Sequence, residues 1–84
     1  MKEVPVDLPS RIRDIVARLA RVDADFRADA DVFRELGLQS AAALDFLLQL
    51  EEEFGVAIND DAFARARTLE QITALVADLR GRAA

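Results

Sequence analysis

The 84-residue sequence contains no cysteine and no histidine, and each absence excludes a class of chemistry. Without cysteine the chain can form neither disulfide bonds nor thiolate metal sites. Without histidine it lacks the commonest general base and the commonest metal ligand. Lysine occurs once, as Lys2. We therefore expect neither an enzyme nor a metal site.

Long hydrophobic runs are absent as well. No stretch approaches the about 20 apolar residues that a membrane-spanning helix requires, and the first seven residues lack the apolar run of a signal peptide. We therefore expect a cytoplasmic protein without a membrane segment. A chain of this length suits one small domain, so we assign residues 1–84 to a single domain in which residues 1–7 form a loose N-terminal arm.

Charge is distributed unevenly along the chain, whose net charge is −5. Residues 1–22 hold five basic and three acidic side chains, and residues 62–84 hold four basic and two acidic ones. Residues 23–61 hold eleven acidic and two basic side chains, a net charge of −9. This middle segment would repel nucleic acid and attract basic protein surfaces. We expect no nucleic-acid partner, although acidic residues can also serve only to keep a protein in solution.

Apolar residues recur with helical spacing in three segments, and nowhere does the sequence alternate as a strand does. The spacing predicts helices over residues 9–21, over residues 40–54 and from Leu69 to about Gly81. A short third helix is predicted over residues 60–65. The expected fold is therefore all-α, a four-helix bundle of three long helices and one short one.

Several residues predict where these helices begin and end. Asn59 is a favourable N-cap for the short helix, and Thr68 forms a capping box with Gln71 at the start of the last helix. Gly55 and Gly81 suit the left-handed conformation that ends helices.

The segment between the first two helices, residues 22–39, shows no sustained period. A structureless segment of this length is unusual in a small domain unless it is functional or held in place. A turn of helix is predicted over residues 31–35, and Gly37 permits a backbone bend that a Cβ would resist. The apolar side chains available to hold the segment are Phe26, Val32, Phe33, Leu36 and Leu38.

The second predicted helix has two different faces when its residues are placed about 100° apart. The face expected in the core carries Ala43, Phe46, Leu47, Leu50 and Phe54. The opposite face combines apolar and acidic residues with a serine at its start: Ser40, Ala41, Leu44, Asp45, Leu48, Glu51 and Glu52. Such a mixture indicates a docking surface, with leucines for affinity and carboxylates for steering. The alternative is that Leu44 and Leu48 pack beneath the residues 22–39 segment.

Ser40 is the candidate site of covalent chemistry. As the nucleophile of a small hydrolase it would need an adjacent base, and the chain has no histidine and only one lysine. As a plain N-cap it would explain the serine but not the acidic and apolar face beside it. The combination favours a covalent attachment point over a catalyst.

Two other carboxylate patterns do not support a site. The four aspartates between residues 23 and 31 have part of the spacing of a calcium-binding EF-hand loop, but its twelfth position, which requires glutamate, holds Arg34. The consecutive residues 51–53 are all glutamate. On a helix they point in different directions, so a solvated surface is expected instead of a catalytic cluster.

At these residues the chain resembles the acyl carrier proteins, over about residues 9–80. The resemblance is densest in residues 33–40 (Phe-Arg-Glu-Leu-Gly-Leu-Gln-Ser) and in residues 50–56 (Leu-Glu-Glu-Glu-Phe-Gly-Val). The family pattern is a leucine–glycine pair, two residues and a serine, then a helix that ends in acidic residues, Phe and often Gly. The resemblance implies a four-helix bundle with a short third helix.

The resemblance also implies a cofactor and partners. A separate phosphopantetheinyl transferase would add a 4′-phosphopantetheine group from coenzyme A to Ser40 Oγ. The thiol of that arm would carry acyl or aminoacyl groups as thioesters to acyl-processing enzymes with basic docking surfaces. The carrier itself would catalyse nothing.

Two residues beside the serine depart from the family pattern. The family usually has Asp before the serine and often Leu after it, whereas this chain has Gln39 and Ala41. The lost carboxylate weakens the expected recognition by generic transferases and indicates a specialised carrier. We define the predicted docking face as Gln39, Ala41, Leu44, Asp45, Leu48, Glu51 and Glu52.

The predicted function is thus a discrete, monomeric acyl carrier protein of a specialised lipid (fatty-acid) or polyketide pathway. Two alternatives stay open: a peptidyl or aminoacyl carrier, and an unmodified helical interaction module of the same fold.

Overall fold

The computed structural model describes residues 7–83 as four helices: α1 (Leu8–Ala20), α2 (Ala41–Phe54), α3 (Asp60–Arg65) and α4 (Leu69–Ala83). No strand occurs in this range, so the predicted all-α bundle of three long helices and one short one is confirmed. α1 packs against both α2 and α4. Between residues 7 and 83, no helix has the length and apolar character needed to cross a membrane.

α1 begins one residue earlier than predicted because Asp7 caps it. The Asp7 side chain accepts a hydrogen bond from the backbone N–H of Ser10 at 2.8 Å, and Pro9 stands in the first turn, where its missing N–H leaves no donor unsatisfied. Asp7 therefore belongs to the helix cap instead of the predicted arm. The rest of that arm, residues 1–6, lies outside the described residues.

The predicted N-caps of α3 and α4 and the predicted end of α2 are confirmed. The Asn59 side chain accepts hydrogen bonds from two backbone N–H groups in the first turn of α3. Thr68 Oγ1 accepts from the Gln71 N–H at 3.2 Å, and Gln71 Oε1 accepts from the Thr68 N–H at 3.3 Å. Gly55 ends α2 with a φ of 65°, the left-handed conformation expected of it.

The predicted end of α4 at Gly81 is wrong, since the helix continues to Ala83. Arg80 and Arg82 lie in its last turn, where positive charge interacts favourably with the helix dipole. Arg82 also pairs with Asp78 one turn earlier, at 3.0 Å. These contacts offset the about 1 kcal/mol that glycine costs inside a helix.

The predicted core face of α2 is confirmed. Phe46 and Leu50 are fully buried and Phe54 is 8% exposed, while Ala43 and Leu47 are half-buried against the same core. Burial of this face fixes the rotation of α2 about its axis and so determines which residues of the helix face outward.

Three phenylalanines join α2 to the loop and to α3. The Phe46 ring lies 6.5 Å from that of Phe33 and 5.8 Å from that of Phe63, measured between centroids. Phe33 and Phe63 meet edge to face at 5.5 Å, an arrangement that aromatic rings prefer. The cluster fixes Phe33, in the loop that leads to α2, against the helical core.

Arg13 holds the first half of the loop between α1 and α2. Its guanidinium donates hydrogen bonds to the backbone carbonyls of Ala24 and Phe26. It also lies over the Phe26 ring, 4.6 Å from the centroid, within the range of a cation–π interaction. A side chain of α1 thus satisfies backbone acceptors of a segment that has no secondary structure of its own.

Asp31 and Arg67 hold the second half of the loop. One Asp31 carboxylate oxygen accepts the backbone N–H groups of Phe33 and Arg34, both at 2.9 Å, and the other pairs with Arg67 Nε at 2.7 Å. The Glu35 N–H donates to the Asp31 carbonyl at 2.8 Å, so the turn predicted over residues 31–35 is confirmed. The Arg67 guanidinium also lies over the Phe33 ring.

The Asp31 carboxylate should make the stability of the bundle depend on pH. The hydrogen bond from Arg67 lowers the pKa of Asp31 below its ordinary value of 3.8, which partial burial opposes and the loop N–H groups reinforce. Because folding lowers this pKa, Asp31 stabilises the fold above pH 3.8 and loses that contribution as the pH falls through the lower folded value.

Replacing Asp31 with asparagine should therefore lower the free energy of unfolding by about 1 kcal/mol near neutral pH. The wild type and the variant should converge in acid, which urea denaturation over a series of pH values would measure. A difference that persists unchanged at acid pH would show that asparagine disturbs the loop in another way.

Candidate functional site

Ser40 precedes α2 in a backbone conformation that residues other than glycine rarely adopt. Its φ is 55° and its ψ is −125°, close to the about 60° and about −120° of the first central position of a type II′ turn. A hydrogen bond from the Ala42 N–H to the Gln39 carbonyl, at 3.1 Å, closes the turn. A serine in this region is strained by about 1–3 kcal/mol, and such strain is found most often at functional sites.

The Ser40 side chain is exposed and makes no capping hydrogen bond to α2. The interpretation of Ser40 as a plain N-cap is therefore not supported. Within residues 7–83, the backbone N–H groups of Ala41 and Ala43 find no backbone acceptor. These groups and the positive end of the helix dipole suit an anionic phosphate ester on Ser40 Oγ.

Leu44 and Leu48 lie on the outer side of α2, with 57% and 50% of their surface exposed. The alternative in which they pack beneath the residues 22–39 segment is therefore wrong. Asp45 and Glu52 are exposed on the same side of the helix. The four side chains form a strip that starts one turn after Ser40, and we call this strip the outer strip of α2.

A groove of about 490 Å³ runs beside this strip, between α1 and α2. Leu19 of α1 lines it opposite Leu48 and Glu52. Leu19 is only half-buried, so the groove adds apolar surface next to the exposed leucines. Leu19 follows the helical spacing of the buried residues of α1, and no local signal in the sequence shows that it borders this surface.

Two residues of the predicted docking face make hydrogen bonds to the protein's own backbone. The Glu51 carboxylate accepts the N–H of Ile58 at 2.9 Å, in the connection between α2 and α3. The Gln39 side-chain amide donates to the carbonyl of Phe33 at 3.0 Å. Both side chains hold neighbouring loops. The angular position of Glu51 on α2 did not reveal this role, and Gln39 lies before the helix begins.

The three consecutive glutamates at the end of α2 have three different surroundings. Glu51 binds the backbone, Glu52 faces outward, and Glu53 forms an ion pair with Arg11 of α1. The Arg11 guanidinium also lies 4.8 Å from the centroid of the Phe54 ring. Of this acidic run, only Glu52 is left as a free charge on the outer strip.

Comparison with known proteins gives one consistent family. Residues 10–76 match the family model described as "Phosphopantetheine attachment site". The chain is similar to "Acyl carrier protein 2" of Pseudomonas aeruginosa, with 36% identity over 66 residues, 77% of this chain and 84% of that protein. It is also similar to the acyl carrier protein of Trieres chinensis, with 31% identity over 67 residues, 79% of this chain and 84% of that protein. The likeness extends from α1 into α4 and does not rest on one motif.

Proposed function

Because this chain belongs to the acyl carrier protein family, we propose that Ser40 bears its phosphopantetheine arm and that the outer strip of α2 docks on partner enzymes. Proteins of this family are carriers without catalytic activity, and they work with a phosphopantetheinyl transferase and acyl-processing enzymes. The observation that carries the assignment is the strained, exposed Ser40 at the start of α2. The pathway we propose is a specialised lipid or polyketide pathway in the cytoplasm, served by the monomer.

The proposed modification forms one new covalent bond at Ser40, between its Oγ and phosphorus. Its Oγ loses a proton and bonds to the phosphorus of the phosphopantetheinyl group of coenzyme A, while the bond from that phosphorus to the nucleotide leaving group breaks. The chain has no histidine to act as a general base, and we assign the proton acceptor to the transferase or to solvent. The backbone N–H groups of Ala41 and Ala43, which find no backbone acceptor within residues 7–83, would be available to donate hydrogen bonds to the phosphate ester.

When bound, the arm supplies a thiol that holds acyl groups as thioesters, a group that a chain without cysteine cannot provide. The named relatives are acyl carrier proteins, which supports an acyl over a peptidyl cargo. The intact mass of the protein isolated from its native host would identify the cargo.

Incubation with coenzyme A and a panel of phosphopantetheinyl transferases tests the assignment of Ser40. The intact mass should rise once, by one phosphopantetheine, and peptide fragmentation should locate the group on Ser40. Attachment at another residue would contradict the proposal. So would the lack of any attachment when the transferase of the native host is included.

The outer strip leads to a prediction about association with partner enzymes. Asp45 and Glu52 are exposed, so their attraction to a basic surface acts before contact and is screened over about 8 Å at physiological ionic strength. The double variant Asp45→Asn, Glu52→Gln should slow association with a cognate enzyme by about threefold to tenfold at low salt. Stopped-flow measurements over a series of salt concentrations would detect the change.

Glu70→Gln provides the matched control for that experiment. Glu70 is also exposed but lies in the first turn of α4, so the same loss of charge there should leave the association rate nearly unchanged. An association rate of the wild type that does not vary with salt would show that Asp45 and Glu52 serve only solubility.

A further inference from the structure

Gln39, the residue before Ser40, takes part in three hydrogen bonds. The Gln39 side-chain amide donates to the Phe33 carbonyl at 3.0 Å. The Gln39 backbone N–H donates to the Gly37 carbonyl at 2.9 Å, and the Gln39 carbonyl accepts the Ala42 N–H that closes the Ser40 turn. The side-chain bond joins the two ends of the segment that leads into α2, six residues apart in sequence.

The other end of this bond lies on a fixed part of the loop. The Phe33 ring packs against the rings of Phe46 and Phe63 and beneath the Arg67 guanidinium. The Phe33 N–H also donates to the Asp31 carboxylate at 2.9 Å. The carbonyl that receives the Gln39 amide therefore belongs to a residue that is tied to α2, to α3 and to Arg67, which lies between α3 and α4.

We propose that Gln39 is a positioning residue whose side-chain amide holds the strained turn that presents Ser40 Oγ to the transferase. The inference rests on the proposed attachment at Ser40. It assigns residue 39 an internal role, in contrast to the charged contact for partner enzymes that the family pattern implies at this position. The loss of a carboxylate beside the serine is thereby linked to the gain of a hydrogen bond within the loop.

The chemistry of the side chain makes this role specific to glutamine. The bond needs a donor, because the Phe33 carbonyl oxygen can only accept. Glutamate at position 39 has the same length but offers an ionised carboxylate near neutral pH, so two acceptors would face each other. Asparagine keeps the donor but is one methylene shorter, and aspartate lacks both the donor and the length.

Three variants, Gln39→Glu, Gln39→Asn and Gln39→Asp, separate the two roles. If Gln39 positions the turn, each variant should lower kcat for phosphopantetheine transfer by about threefold to tenfold while KM changes little, because the outer strip that docks is intact. If residue 39 is a charged contact, the Glu and Asp variants should instead gain activity through a lower KM. The transferase used is the one that modifies the wild type.

Amide hydrogen exchange of the unmodified protein provides a second readout that needs no transferase. Exchange at the Ala42 N–H, which closes the Ser40 turn, should be faster in all three variants. Exchange at the Val76 N–H in α4 should not change, because the global fold is retained. This pair of amides distinguishes a loosened turn from a destabilised bundle.

Two results of these experiments would overturn the inference about Gln39. A gain of activity in the Glu or Asp variant overturns the inference, and so does an unchanged kcat, even if Ala42 exchange becomes faster. Failure of the wild type to acquire phosphopantetheine at Ser40 would instead overturn the proposed function. This result is distinct from the others because it is seen in the protein that retains Gln39.

Discussion

Replacing Ser40 with alanine is expected to abolish phosphopantetheine attachment without lowering the stability of the bundle. The hydroxyl is the proposed acceptor, so no mass increase should remain. An N-cap serine usually contributes about 0.5–2 kcal/mol to stability, but this one makes no capping hydrogen bond. The free energy of unfolding should therefore change by less than about 0.5 kcal/mol.

Intact mass measures the attachment of phosphopantetheine, and urea denaturation measures the free energy of unfolding. Ser10→Ala is the matched control, since Ser10 is the other serine in the chain and its replacement should leave attachment unaffected. Ser40→Gly should also be unmodified, but should be more stable than Ser40→Ala because glycine tolerates a φ of 55°. Residual attachment to the alanine variant would place the site on another side chain.

Replacing Phe46 with alanine should lower the free energy of unfolding by about 3–5 kcal/mol. The ring is fully buried and contacts Phe33 of the loop and Phe63 of α3, so its loss leaves a cavity where three segments meet. Because a whole domain is stable by about 5–15 kcal/mol, much of the population would unfold. Urea denaturation monitored by circular dichroism would measure the loss.

Leu48→Ala is the matched control on the same helix. Leu48 is 50% exposed, so its truncation should lower the free energy of unfolding by less than about 1 kcal/mol. If both variants lost the same stability, Leu48 would belong to the core and the outer strip would shrink to its remaining residues. Should Phe46→Ala fail to fold, Phe46→Leu would give a smaller loss, about 1 kcal/mol, for the comparison.

The helices and the buried face of α2 were predictable because burial imposes a period on the sequence. Asn59, Thr68 and Gln71 were predictable as caps because their hydrogen bonds join residues two to four positions apart. The end of α4 was not predictable in this way, since the preference of Gly81 for ending a helix is outweighed by charges in the last turn.

Other contacts at the site depend on where long side chains end, which periodicity does not determine. A helical angle gives the direction of a Cβ, but the Glu51 carboxylate turns back to the N–H of Ile58. The bond between Asp31 and Arg67 joins residues 36 positions apart, and neither residue belongs to a predicted stripe. The φ of Ser40 likewise follows from the closed turn around it and not from the residue type.

The conformation of Ser40 has an evolutionary consequence. Its positive φ favours glycine, so natural selection for folding alone would replace this serine over time. A descendant that no longer received a prosthetic group would be free to drift toward glycine at position 40 and gain stability by doing so. The residue type at this one position can therefore serve as a record of whether a lineage has kept the modification.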